Sequence, residues 1–159
     1  MKELVDILKK SKMKLSIAES CTGGLFMSRL TDVAGASSVF ECGFVTYSNL
    51  SKYNILGVNP YTLSLKGAVS SETISELLEG LKAETESDVF CAVSGIAGPS
   101  GGSKLKPVGT VYAGFCLRNK KVARILKFNF EGSRVQVKNQ AVDRMCEELK
   151  KYIKEELSC

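Results

Sequence analysis

Four side chains in the first third of the sequence have the types needed for covalent chemistry: Ser37, Ser38, Tyr47 and Lys52. The chain contains no histidine, so a hydroxyl nucleophile must lose its proton to some other base. A lysine withdrawn from water has a depressed pKa; as the neutral amine it can accept a hydroxyl proton and later return it to a leaving amine. This chemistry suits cleavage of an amide without a metal. Tyr47, near the end of an apolar run, could pass the proton or orient the nucleophile. Each residue also has an ordinary use, since serines cap helices, tyrosines pack at strand ends and most lysines are solvated.

Two glycine-rich stretches could bind what such a group acts on. In SIAESCTGG, small residues separate a strand-like run from a helix-like one. Backbone N–H groups there, with the Thr22 hydroxyl and with Gly23 and Gly24, could cradle an anion at a helix N-terminus, phosphate being the natural candidate. Neither GxGxxG nor a terminal GK[ST] is present, so an ordinary tight turn is the competing reading. In GIAGPSGGSKLKP, the residues Gly95, Gly98, Gly101 and Gly102 fall within eight positions. Such a backbone can approach a ligand closely; a plain surface crossover is the alternative.

The elements that must position these residues can be read from periodicity. Leu4, Val5, Ile7 and Leu8 share a helical face, Lys14–Ala18 reads as a strand, and Leu25–Asp32 reads as a second helix. Phe40–Ser48 is rich in β-formers, and a short helical turn follows through Leu50–Leu56, closed by Gly57 and Pro60. Ser70 or Ser71 caps a helix on which Ile74, Leu77, Leu78 and Leu81 recur at intervals of three and four. Asp88–Ser94 is a nearly continuous apolar run, as expected of a strand covered on both faces. Val108–Leu117 and Val122–Phe130 flank Arg118-Asn119-Lys120-Lys121 as a hairpin, and Val142, Met145, Leu149, Tyr152 and Ile153 mark a long closing helix. Helices interleaved with strands, plus one hairpin, predict an α/β fold, a three-layer α/β/α sandwich with a mixed, mostly parallel sheet. Ligands in such sheets sit beyond the strand carboxyl ends, where the glycine-rich loops fall.

The bulk properties narrow the function classes. At 159 residues the chain suits one domain and one site. Its net charge of +5 is scattered among apolar residues and not gathered into a basic tail, which speaks against nucleic acid and equally suits a phosphorylated small molecule. Six cysteines without a CxxC pair, and no histidine, point to no metal site. Cys42, Cys91 and Cys116 lie in strand-like runs and read as buried thiols of a reducing compartment. No stretch of about 18 apolar residues and no leader pattern is present, so a cytoplasmic protein with no membrane partner is expected. The apolar-faced helices are compatible with a homodimer.

With these residues in place, the sequence closely resembles the CinA carboxy-terminal domain family, whose members include nicotinamide-nucleotide amidases. The resemblance spans nearly the whole chain and is carried by AESCTGG at 18–24, LTDVAGASSVF at 30–40, GFVTYSN at 43–49, GAVS at 67–70, SGIAGPSGG at 94–102 and KPVGTVY at 106–112. It implies hydrolysis of nicotinamide mononucleotide to nicotinic acid mononucleotide and ammonia, with no cofactor. It further implies a catalytic group of Ser37, Tyr47 and Lys52, Ser37 being taken over Ser38 for its position ten residues before Tyr47. Thr22, Gly23 and Gly24 are then expected at the phosphate, with Gly95, Gly98, Gly101 and Gly102 along the ribose side and Arg134 contributing to anion binding. Where the family usually shows a GDR segment and a later arginine, this chain reads Gly132-Ser133-Arg134 and then Lys138. If an aspartate orients the arginine in the family, that function is missing here. The alternative class is a nucleotide-binding or sensor module linked to competence or DNA damage, which keeps the pocket without turnover.

Overall fold

The computed structural model describes residues 1–158. Ten residues of helix α1 (Lys2–Ser11) bury Leu4, Val5 and Leu8 and end at Lys12, which takes the left-handed conformation and returns its N–H to the last helical carbonyls. Strand β1 (Leu15–Glu19) follows, buried at every position. Helix α2 (Leu25–Thr31), a 3-10 turn (Ala36–Ser38) and strand β2 (Phe40–Val45) come next. Then come α3 (Asn49–Leu56), α4 (Pro60–Leu65), α5 (Ser71–Glu84), β3 (Val89–Gly95), β4 (Thr110–Leu117), β5 (Arg124–Asn129) and the 24-residue α6 (Arg134–Leu157).

The strands form one sheet in the order β2-β1-β3-β4-β5. β2, β1 and β3 run parallel, while β4 turns back on β3 and β5 on β4. Alternation along β1 and β3 divides the core in two. Leu15, Ile17, Val89, Cys91 and Val93 face α1, α2 and α6; Ala18, Phe90 and Ala92 face α3, α4 and α5. The fold is thus the α/β sandwich with a mixed sheet that the pattern predicts.

Pro60 departs from that pattern. It opens a helix instead of closing one, because Asn59 caps it by accepting from the Tyr61 N–H, and proline at the first helical position loses no hydrogen bond. The closing helix also starts earlier than its apolar run, at Ser133, whose side chain accepts from the Gln136 N–H in a capping box. Cys21, Cys42, Cys91, Cys116 and Cys146 are free thiols, and Cys159 lies outside the described residues. No helix among the described residues is long and apolar enough to cross a membrane.

Candidate active site

Parallel register sets the site. Glu19 lies between Val45 on β2 and Val93 on β3. The pairing continues one residue further, with the Ser20 N–H donating to Val93 O (3.1 Å) and the Thr46 N–H to Glu19 O (2.9 Å). Thr46, Ser20 and Ser94 therefore stand abreast at three strand ends. By the period of two they face the layer of α3 and α5.

Lys52 comes down onto this row from α3. The helix starts where Ser48 and Ser51 exchange side-chain and backbone hydrogen bonds, which fixes the direction of its first turn. One turn on, Lys52 and Leu56 share the inward face, and Lys52 is fully buried. Its Nζ lies 3.0 Å from Ser20 Oγ, 2.6 Å from Thr46 O and 3.4 Å from Tyr47 O. Among the described residues, no carboxylate is a hydrogen-bond partner of Lys52. Burial pushes its pKa down from 10.5 to about 8, against a smaller opposing influence of Cys21. As the ammonium, Lys52 donates to the Ser20 hydroxyl and to the two carbonyls; once deprotonated, the amine keeps two N–H groups for the carbonyls and has a lone pair to offer the Ser20 O–H.

A cleft of about 230 Å³ opens over this pair, lined by Ser20, Cys21, Tyr47, Lys52, Ser94 and Arg134 together with the 95–101 loop. Its size lies near the lower end of small-ligand clefts. Burial raises the Cys21 thiol to about 12. Ser94, 1% exposed, brings a second hydroxyl to the floor.

Ser37 is not brought to this group. It is exposed on the 3-10 turn before β2 and borders a different hollow, with Thr31, Val33 and Phe40. From Phe40 to Val45 the parallel strand climbs roughly 16 Å, so Ser37 sits at the amino end of the sheet and Lys52 at the carboxyl end. Ser38 closes its own turn by donating to Gly35 O. The serine that meets the lysine is Ser20, inside the AESCTGG segment.

That anion-binding expectation is also corrected. The fully buried Glu19 carboxylate accepts from the N–H groups of Gly24 (3.0 Å), Phe26 (3.2 Å) and Met27 (2.9 Å), so the N-terminus of α2 is already occupied by the chain's own anion. Thr22 is fully buried with its hydroxyl unpartnered, and neither it nor Gly23 nor Gly24 lines the cleft. Gly23 instead lies near Lys138, whose Nζ would be 3.7 Å from a Cβ added there.

The second glycine segment does border the cleft through Gly95, Gly98 and Gly101, whereas Gly102 packs behind it against the Pro107–Val108 backbone. Gly98 has φ +83°, and a Cβ there would come within 2.5 Å of Val108, so the loop requires glycine to turn over the β4 entry. Across the mouth, Arg134 donates to Gly98 O (2.7 Å) and to Tyr47 Oη (2.6 Å). Ser133 is used as the helix cap, and Arg134 is oriented by these two acceptors from other parts of the chain.

The chain matches the family model described as CinA C-terminal domain over residues 1–153. A CinA-like protein of Thermotoga neapolitana is 46% identical over 152 residues, which are 96% of this chain and 36% of that protein; the chain thus spans about a third of that relative's length. Among solved structures, a competence-damaged protein (CinA) superfamily protein from Klebsiella pneumoniae superposes with a TM-score of 0.92 at 30% identity, over 97% of this chain and 95% of that one. The competence/damage inducible protein CihA from Agrobacterium tumefaciens gives 0.87 at 37% identity, over 93% and 92%.

Proposed function

The chain belongs to the CinA C-terminal domain family, and from that premise we propose that it is an amidohydrolase acting on nicotinamide mononucleotide, with Ser20 as nucleophile and Lys52 as general base. The observation that carries the reading is the buried Lys52 Nζ, 3.0 Å from Ser20 Oγ, with two backbone carbonyls as its other hydrogen-bond partners.

The steps follow from that geometry. Ser20 Oγ bonds to the carboxamide carbon as its proton passes to Lys52. The carbonyl oxygen gains the charge, which donors lining the cleft must stabilise; loss of one such donor typically costs about 3–4 kcal/mol in hydrolases. The C–N bond then breaks, and Lys52 returns the proton to the nitrogen, which leaves as ammonia. Water attacks the acyl-enzyme, its proton going to Lys52 and on to Ser20 Oγ, and the carboxylate product departs. Arg134 at the mouth offers the cation for the nucleotide's phosphate.

The test is ammonia release from nicotinamide mononucleotide, with and without chelator. Release is expected to persist with chelator and to vanish in Ser20→Ala and Lys52→Ala. A folded native protein that binds the mononucleotide without releasing ammonia would replace this reading with a nucleotide-binding module.

A further inference from the structure

Tyr47 touches the site at two ends. Its carbonyl accepts from Lys52 Nζ, and its phenol oxygen accepts from the Arg134 guanidinium, 2.6 Å away. The ring between them is 58% exposed at the cleft mouth. Among the described residues, the phenol oxygen has no hydrogen bond to Ser20 or to Lys52, and Arg134 is its partner. The phenol therefore makes no direct contact with the reacting pair, and the contact Tyr47 does make with Lys52 is through the main chain.

What the phenol does control is a long cationic side chain. Arg134 is exposed at the first position of α6, and its neighbour Ser133 is committed to capping that helix through Gln136. Two acceptors from different parts of the fold hold the guanidinium: Gly98 O from the glycine loop and Tyr47 Oη from the end of β2. A planar guanidinium pinned at two of its nitrogens presents its remaining N–H groups in a fixed direction, and an unpinned one must give up rotamer freedom on each binding event.

We propose that Tyr47 is a positioning residue for substrate, not an acid or base: its phenol fixes Arg134 so that the guanidinium receives the anionic end of the ligand while the carboxamide lies over Ser20. This rests on the amidase reading for the identity of the substrate. On that reading the ligand is a phosphomonoester, and its anion meets the guanidinium held at the mouth of the cleft.

The experiment compares Tyr47→Phe, Arg134→Ala and the double variant with the native chain, using initial rates of ammonia release from nicotinamide mononucleotide across pH. Tyr47→Phe is expected to raise KM roughly tenfold with kcat and the position of the alkaline-rising limb unchanged. In the Arg134→Ala background it should have no further effect, since the two residues act through one contact. A fall in kcat of about a hundredfold or more, the loss expected for a general acid or base, or a KM unchanged from native, would overturn the assignment. Inorganic phosphate titrated into native protein and Tyr47→Phe by calorimetry separates the two hypotheses, because it needs no turnover. Weaker phosphate binding in Tyr47→Phe, in a chain that releases no ammonia, would keep the clamp and discard the amidase; equal binding would discard the clamp.

Discussion

If Lys52 works as the free base, its burial must be visible in the pH dependence of the rate. In water a lysine titrating at 10.5 is unprotonated in about one molecule in three thousand at pH 7; at about 8 the fraction is about one in ten. The buried position is therefore worth a few hundredfold in available base. The rate kcat/KM for ammonia release is expected to climb about tenfold per pH unit below 7 and to level off above a midpoint near 8. The same shift has a stability counterpart. Because the folded pKa lies below the unfolded one, the unfolded chain binds more protons between about pH 8 and 10.5, so stability rises across that window; below it the folded state carries the full penalty, about 3 kcal/mol. Lys52→Met, which keeps the volume and removes the charge, should accordingly be inactive yet melt higher than the native protein at pH 7. A limb centred near 10, or a Lys52→Met variant that melts lower at pH 7 and not at pH 10, would refute the argument that desolvation sets the base.

Ser20→Ala should abolish turnover while Ser37→Ala retains near-native rates, measured in the same ammonia assay; the reverse pattern would return the nucleophile to the far end of the sheet. Glu19→Gln keeps the shape but leaves at least one of three N–H groups without an acceptor, and should cost about 2 kcal/mol, or roughly 4–8 °C in Tm for a chain of this size, read by calorimetry. Gly80→Ala on α5 ought to add about 1 kcal/mol of helix propensity, but its Cβ would press on the Leu56 carbonyl of α3; denaturant titration should therefore show destabilisation, and activity should fall with it as α3 carries Lys52 outward.

How much of this was legible beforehand depends on whether the signal was local. The two-sided burial of β3 is written in Val89-Phe90-Cys91-Ala92-Val93, and the amphipathic α5 in Ile74, Leu77, Leu78 and Leu81, because both report periodicity within one element. Lys52 could be named as a base from the lack of histidine. Its partner could not, since Ser20 and Ser37 are told apart only by which end of a parallel strand each occupies, and that is fixed by the pairing of β1 with β2. The occupant of the α2 N-terminus was concealed for a similar reason. A carboxylate immediately before the turn reads as a strand-end residue until the chain folds back and Glu19 meets Gly24, Phe26 and Met27. The weak local cue was Glu19 itself, an acidic residue closing an otherwise apolar strand that ends up fully buried.

That internal carboxylate bears on how the protein should be handled. A helix terminus already neutralised by its own chain does not compete for sulfate, phosphate or other buffer anions, so the cleft mouth at Arg134 is where such ions would act. Inhibition by inorganic anions should then be competitive with the mononucleotide and follow a single-site curve, and the choice of buffer salt becomes a direct titration of the guanidinium held by Tyr47 and Gly98.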